Sequence, residues 1–414
     1  MIKNVAEVKR ETCFGCTACM AICKLGAIHM QADAEGFMVP AVDEEKCVNC
    51  SACTKVCPAL HPWKGREGEN KFYAFQHEDD TVLVKSTSGG AFSAIASSVD
   101  DPYVCGCVMD EKLYVRHIVS QAEEDIAAMR GSKYVQSDMG NVLREIGEKL
   151  SAGKNVVFSG TSCQTHGLLN YLAAAKISTE NLITMDLICH GVPSNLMHKE
   201  YVKNYEKSKG VKGVKHYFRS KRQGWGLRFM LKNYEQLFVH SGHKQTVVHS
   251  CVVADRTSLE SQLWLNIFFS DLCLREACYN CPYCTDSKPA DITLADFWGI
   301  EETDVDLDFP KGCSLLIGRG EGINIVKKLI KFRALDKKQE SVARNYQIHL
   351  NRPIKRPAKR DDFWEDYHKH GFDFVARKYL RYGKRYSLLM LLYNLANLLK
   401  NKRLAQKIGG WLFY

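Results

Sequence analysis

The sequence predicts a three-part chain of mixed class. A small α+β unit spans residues 1–65, a larger α/β body spans 66–345, and a basic helical tail closes the chain at 346–414. Three observations carry this division. Eight of the 18 cysteines lie before residue 58, in two runs of one spacing. Strand and helix patterns then alternate along most of residues 71–345, the mark of an α/β body. From Arg352 onward there are 15 Lys+Arg against 5 Asp+Glu, while the rest of the chain is balanced at 42 against 42.

At ~150 residues per domain, this length predicts two or three domains. The chain is 45% apolar and 25% charged, which excludes wholesale disorder. The first residues, "MIKNVAEVKR", contain no apolar run of signal-peptide length, so a cytoplasmic location is expected. Clustered cysteines then mean metal or redox work rather than a disulfide framework. A neutral body argues against nucleic-acid binding and moves any electrostatic partner to the C-terminus.

The first unit is read from its cysteines. "CFGCTACMAIC" places them at Cys13, Cys16, Cys19 and Cys23, and "CVNCSACTKVCP" at Cys47, Cys50, Cys53 and Cys57. Both runs read C-x2-C-x2-C-x3-C, the spacing of two-cluster ferredoxins, so two [4Fe–4S] clusters are expected. Three thiolates on a tight loop cap three irons, and the fourth comes from the other run. The sets are therefore Cys13, Cys16, Cys19 and Cys57 for one cluster, and Cys47, Cys50, Cys53 and Cys23 for the other. Gly15, Ala18, Ser51 and Ala52 leave room for sulfide. Residues 27–42 read as two strands around "DAEG", which completes an α+β ferredoxin-like unit. Lys24 stands where such a run usually has proline. A structural zinc ribbon is the alternative.

"HPWKGREGEN" (61–70) is a turn-rich boundary. "KFYAFQ" opens the body as a strand. "NVVFSG" (155–160) and "NLITMDLIC" (181–189) are further strands, and "THGLLNYLAAA" (165–175) is a helix. "NVLREIGEKLSAG" (141–153) is a helix ending at Gly153. Loops at the C-terminal ends of strands in such a sheet bind ligands. "STSGGAFSAIASS" offers Ser88, Gly89 and Gly90 ahead of a helix, suited to a phosphate or a flavin edge or simply to a turn. "RGSKYVQSD" offers Ser132, Lys133, Tyr134 and Gln136, with Lys133 suited to a phosphate or an anionic ring. "SGTSCQTHG" offers Gly160, Thr161 and Gln164, with Cys163 near a helix start that favours a thiolate. "DLICHGVPS" brings Cys189 and His190 to a strand end. "ADITLADFWGIEE" adds a strand through Ile292 and Leu294, followed by Asp296 and Trp298.

These motifs and "CYNC" stand in an order that closely resembles the coenzyme F-420 hydrogenase/dehydrogenase β-subunit family, over residues 71–345. Ser162 departs from the usual Gly-Thr-Pro-Cys. The resemblance implies an α/β flavin-binding body holding FAD and an iron–sulfur cluster. It implies an oxidoreductase passing electrons between ferredoxin-type clusters and an organic substrate, with Lys133, Gln136 and His190 near the flavin or the substrate. It also implies ferredoxin or a redox partner subunit as electron partner. Some family members sit near polysaccharide-synthesis genes, and coenzyme F-420 itself is not specified as substrate. Two alternatives are an electron-relay subunit of a larger complex and a non-enzymatic iron–sulfur protein.

"CLREACYNCPYC" carries cysteines at 273, 278, 281 and 284. Two sites fit: the local quartet, or a third [4Fe–4S] cluster assembled from Cys163, Cys189, Cys278 and Cys281, the set the resemblance implies. Zinc remains a third option. Cys105 and Cys107 read as strand residues, Cys251 and Cys313 as packing. In the tail, "YSLLMLLYNLANLL" (386–399) is an apolar helix after Ser387, and its 14 residues fall short of the ~20 that span a bilayer. It suits either docking on the body or peripheral contact with anionic lipid.

Overall fold

The computed structural model describes residues 2–66, 68–210, 212, 214–219, 221, 225, 237–240, 252–254, 259–399, 404, 407 and 408. Cys251 lies outside these residues. The strands in chain order are β1 (Ile28–Ala32), β2 (Met38–Val42), β3 (Lys71–Phe75), β4 (Tyr103–Met109), β5 (Val115–Ser120), β6 (Val156–Ser159) and β7 (Leu182–Leu187). They continue with β8 (Val214–Tyr217), β9 (Leu237–His240), β10 (Val252–Ala254), β11 (Ile292–Asp296), β12 (Ser314–Gly318) and β13 (Phe332–Ala334). β1 and β2 form the expected hairpin, and β8, β9 and β10 form a separate sheet. The remaining strands make one eight-stranded sheet in the order β13-β3-β12-β11-β7-β6-β4-β5.

The centre of this sheet is parallel: β4 pairs with β6, β6 with β7, and β7 with β11. Antiparallel strands flank it on both sides. Val156, Val157 and Phe158 are fully buried, which is why β6 reads as an unbroken apolar run. The four parallel strands bring their C-terminal ends to one edge, where "SGTSCQ", "LICHGV" and "DFWG" follow them.

Helix α1 (Ala18–Ile22) belongs to the first unit, and two helices flank β6. The sixth in chain order, Val142–Ser151, buries Val142, Leu143, Ile146 and Leu150 along one stripe. Gly153 follows its C-cap at φ +70°, with the Gly153 and Lys154 N–H groups bonded to the carbonyls of Leu150 and Lys149. This is the Schellman pairing, and it requires a residue at ease with positive φ. The next helix, Ser162–Ala175, starts three residues earlier than its apolar pattern suggests. Gln164 accepts from the Thr161 N–H at 2.8 Å, and this capping box pulls Cys163 into the first turn.

The first unit is docked rather than loosely linked. Cys16, Ala18, Ala21 and Val56 share a buried cluster with Leu143, Ile146, Phe158, Leu168 and Tyr171 of the body. Arg144 donates to the carbonyls of Met20, Ala21 and Cys23 at 2.6–2.9 Å, covering the end of α1. A Cβ at Gly167 would lie 2.7 Å from the Cys16 sulfur, so only glycine lets this helix approach so closely. The boundary segment is pinned as well: Trp63 donates to the Ser287 carbonyl at 2.7 Å and Arg66 pairs with Asp291 at 2.9 Å.

The tail divides in two. Helices Arg360–His370 and Phe372–Tyr379 set Phe363, Trp364, Phe372 and Val375 into the same core as Tyr201 and Trp264. The last helix, Lys384–Leu398, buries Ala396 but leaves Leu388, Leu391, Leu392 and Leu395 exposed.

Three buried histidines make the fold acid-labile. Burial lowers His117, His166 and His198 from 6.5 to about 4, so each is neutral in the folded chain. The unfolded chain binds those protons first, so stability is intact above pH 6.5 and is lost as pH falls toward 4. The expected result is a urea midpoint that drops steeply across that window. A flat midpoint would contradict the neutral, buried assignment.

Candidate functional site

The two cysteine runs of the first unit adopt one geometry twice. Gly15 and Thr17 in the first run, and Asn49 and Ser51 in the second, all take left-handed φ between 53° and 67°. Alternating handedness turns successive N–H groups into one concavity, a nest for a bound anion such as a sulfide-bearing cluster. Cys13, Cys16, Cys19 and Cys57 line a single small cavity of about 20 Å³, so Cys57 of the second run does cross to the first. Burial, and then the neighbouring thiols Cys19, Cys57 and Cys13, raise Cys16 well above its ordinary value. Four thiolates so crowded need bound cations to stay deprotonated, which is what iron supplies. Cys23 packs in one apolar cluster with Cys53, while Cys50 is exposed. The Asn4 amide reaches the Cys47 sulfur at 3.9 Å. The inner set thus touches the body at Cys13 and Cys16, and the outer set reaches solvent at Cys50.

At the C-terminal edge of the parallel strands lies a cavity of about 450 Å³. All six sequence segments reach it. Ser88 and Gly90 line it from the first, Ser132, Lys133, Tyr134 and Gln136 from the second, and Gly160, Thr161, Cys163 and Gln164 from the third. Cys189 and His190, then Cys278, Cys281 and Cys284, then Asp296 and Trp298 complete the wall. Gly89 stands just behind it, and its N–H donates to the Ser314 hydroxyl at 2.9 Å. A Cβ on Gly89 would fall 2.2 Å from the Phe75 carbonyl oxygen, so strand contact alone demands glycine there. Ser88 donates to the Cys313 carbonyl at 2.7 Å.

Lys133 lines the cavity with its ammonium held by the carbonyls of Ala128, Met129 and Arg130 at 2.7–3.0 Å, capping helix Glu123–Met129. Burial lowers it to about 8. Gln136 bridges the two units: its amide donates to the Phe14 carbonyl at 2.9 Å and its oxygen accepts from Arg275 at 2.8 Å. Gln164 donates to Ser137 at 3.1 Å, Ser137 lies 2.8 Å from His117 Nδ1, and His117 Nε2 lies 2.9 Å from the Ser159 carbonyl. The carbonyl can only accept, so the proton sits on Nε2. His190 stands between Asp271 at 2.7 Å and His349 at 3.1 Å.

Of the cysteines in the two candidate sets, Cys163, Cys189, Cys278, Cys281 and Cys284 share the cavity wall, and Cys273 does not. Burial raises Cys189 to about 12, with the charges of Cys163 and Cys281 adding to it, and Cys278 is raised well above the ordinary range by burial and by Cys189. Cys163, Cys189, Cys278 and Cys281 are therefore near neighbours on one wall. Cys284 neighbours Cys281 on this wall, and their interaction lowers Cys281 and raises Cys284. Cys273 is turned away: fully buried in the aromatic core, it reaches the Ile267 carbonyl at 3.4 Å. Among the described residues no three His, Cys, Asp or Glu side chains gather as they would around a single metal ion.

Sequence reasoning overlooked the junction between the sites. Phe14 lines both cavities and meets Tyr283 edge-on with ring centres 5.7 Å apart. The Tyr283 hydroxyl lies 2.8 Å from His166 Nδ1. Arg275 and Tyr283 both lie within "CLREACYNCPYC", where an arginine and a tyrosine amid cysteines were the available signal. Asp271 and His349 belong to no local motif and had none. The cavity mixes hydroxyls and amides of Thr87, Ser132, Ser137 and Gln164 with Phe92, Met129, Phe268 and Trp298. That donor set fits a large planar cofactor with a polar tail.

Two family models match parts of the chain. Residues 153–341 match the family described as the C terminus of the beta subunit of coenzyme F420 hydrogenase/dehydrogenase, and residues 12–60 match a 4Fe-4S dicluster domain. No curated protein matches the chain. A chain of the xenon-derivatised F420-reducing [NiFe] hydrogenase complex from Methanosarcina barkeri is 17% identical, with a TM-score of 0.41, and the match covers 70% of this chain and 91% of that one.

Proposed function

Since residues 153–341 match the coenzyme F420 hydrogenase/dehydrogenase beta-subunit family and residues 12–60 a 4Fe-4S dicluster domain, we propose that the chain is an iron–sulfur flavoprotein oxidoreductase. It passes electrons between its ferredoxin-type clusters and an organic substrate by way of FAD. One observation carries this reading: the inner cysteine set of the first unit abuts a cavity lined by six body cysteines, Cys163, Cys189, Cys278 and Cys281 among them, at which the strand-end loops converge.

Cys13, Cys16, Cys19 and Cys57 hold the inner cluster, and Cys47, Cys50, Cys53 and Cys23 the outer one. Cys163, Cys189, Cys278 and Cys281 hold a third. Ser88, Gly90, Ser132, Tyr134, Gly160, Thr161 and Gln164 line the cavity and would cradle the flavin, with Gly89 behind them. Clusters supply single electrons, and a flavin links them to two-electron chemistry. The chain's own residues do the rest. Phe14 and Tyr283 exclude water between the inner site and the cavity, and Gln136 fixes the two units in register. His190, oriented by Asp271, is placed to hold or move a proton at its ring, facing His349.

The exposed Cys50, with exposed Leu25 and Val48 beside the outer set, marks the entry for ferredoxin or a redox partner. Clustered cysteines committed to metal work suit a reducing, cytoplasmic setting, which is where this reading places the protein. Anaerobic purification tests the reading. About twelve irons per chain, the content of three cubanes, together with flavin absorbance are expected. About eight irons and no flavin would reject it.

The tail contacts membrane surface as a peripheral element in this reading. No described helix is long and apolar enough to cross a membrane. Residues 374–414 carry nine Lys+Arg and no Asp or Glu, and the exposed leucines of Lys384–Leu398 form one stripe. Vesicles rich in anionic lipid should float the wild type, while Leu391→Glu/Leu395→Glu should stay at the bottom. Equal flotation removes the membrane contact and leaves the redox reading untouched.

A further inference from the structure

Arg275 is only 3% exposed and stands between the two cysteine sites. Its Nε donates to the Cys13 carbonyl at 2.6 Å. One terminal nitrogen donates to the Met38 carbonyl at 3.0 Å and reaches the Cys13 sulfur at 3.5 Å, and the other donates to Gln136 at 2.8 Å. None of these partners is a carboxylate, so the positive charge is carried into the junction without a compensating anion among them. The cysteine loop is shaped around it: a Cβ on Gly15 would lie 2.9 Å from the guanidinium, and Gly15 itself is at φ +67°. The Phe37 ring lies 5.3 Å from the guanidinium carbon. Arg275 also lines the large cavity.

We propose that Arg275 is a positioning residue that sets the direction of electron flow, acting through Cys13 to make the inner cluster the better electron acceptor of the two in the first unit. A cluster gains one negative charge on reduction. Hydrogen bonds to its sulfurs and nearby net charge set how readily it does so. A guanidinium fixed against a ligand sulfur stabilises that added charge, whereas the outer set has neutral Asn4 at the matching place. The step is a one-electron transfer in which the outer centre is oxidised and the inner one reduced by one electron, with no bond made or broken. The inference rests on the iron–sulfur reading of the first unit and needs neither the flavin nor the third cluster.

The test is an anaerobic redox titration of the full-length protein followed by electron paramagnetic resonance. Wild-type protein without cubane signals would sink the underlying reading before any variant is compared. The two signals of the first unit are told apart by a soluble paramagnet, which broadens the one beside exposed Cys50. In Arg275→Gln, iron content is expected to hold while the inner signal's midpoint moves downward and the outer signal stays. An unmoved inner midpoint with iron retained overturns the proposal. Arg275→Lys keeps the charge, and its inner midpoint should stay at or near the wild-type value. If Arg275→Gln sheds iron, Arg275→Lys decides: a midpoint near wild type supports the role, and a glutamine-like fall or loss of the inner signal overturns it.

Discussion

Replacing Cys163 or Cys189 with serine is expected to lower the iron content from about twelve to about eight per chain, while Cys273→Ser leaves it unchanged. The reason is placement. Cys163 enters the cavity from the first turn of its helix because the Thr161–Gln164 capping box starts that helix early. Cys189 arrives from the end of β7, and Cys278 and Cys281 arrive from the loop that follows helix Leu259–Phe269. Cys273, the first cysteine of the same short run, is locked into the core by Ile267 and the surrounding aromatics. Cys284 lies on the same wall but outside the proposed ligand set, so Cys284→Ser should keep the irons. Iron and sulfide analysis of each variant reads the result directly. Loss of about four irons from Cys284→Ser but none from Cys163→Ser would restore the local quartet.

Arg360→Ala should destabilise the chain by about 3 kcal/mol, as expected for removing one partner of a buried ion pair. Arg360 is 3% exposed and holds both oxygens of Glu35 at 3.1 and 2.5 Å. It also pairs with Glu276 at 3.0 Å and donates to the Leu274 carbonyl at 3.0 Å. One side chain of the tail thereby ties the first unit to the cysteine-bearing loop. Arg10 keeps a 2.9 Å contact to Glu35, which limits the loss. Denaturant midpoints of the iron-loaded protein measure the effect. Glu35→Gln combined with Arg360→Ala should cost less than the sum of the two single changes. Strict additivity would mean that the two side chains do not act as a pair.

Much of this was legible in the residues. The paired C-x2-C-x2-C-x3-C runs named their cysteines and the crossing of Cys57, because a turn of that spacing leaves few backbone geometries. The unbroken apolar run of β6 announced a buried parallel strand. Gly153 announced a helix end. Other features were invisible. Lys133 reads as an anion ligand in its loop, yet three carbonyls at a helix end hold its ammonium. Gly89 reads as a phosphate-binding glycine, yet the nearness of β3 already requires it. Residues 360–380 read as tail by charge, yet Phe363, Trp364, Phe372 and Val375 enter the body's core, because the apolar faces of two short helices outweigh the charge around them.

What composition and spacing settled is therefore local: the class of the chain, the dicluster pattern of the first unit and the strands that build the sheet. These follow from interactions within a few residues, where spacing dictates direction. The placement of Cys163, Cys189, Cys278 and Cys281 on one cavity wall, the insertion of Arg275 beside Cys13, and the pairing of His190 with Asp271 and His349 emerge only when the chain folds. They depend on strand order and on helix docking across long stretches of sequence. A parallel sheet brings loops to one edge whatever their separation along the chain, and no short-range pattern records which of them will meet.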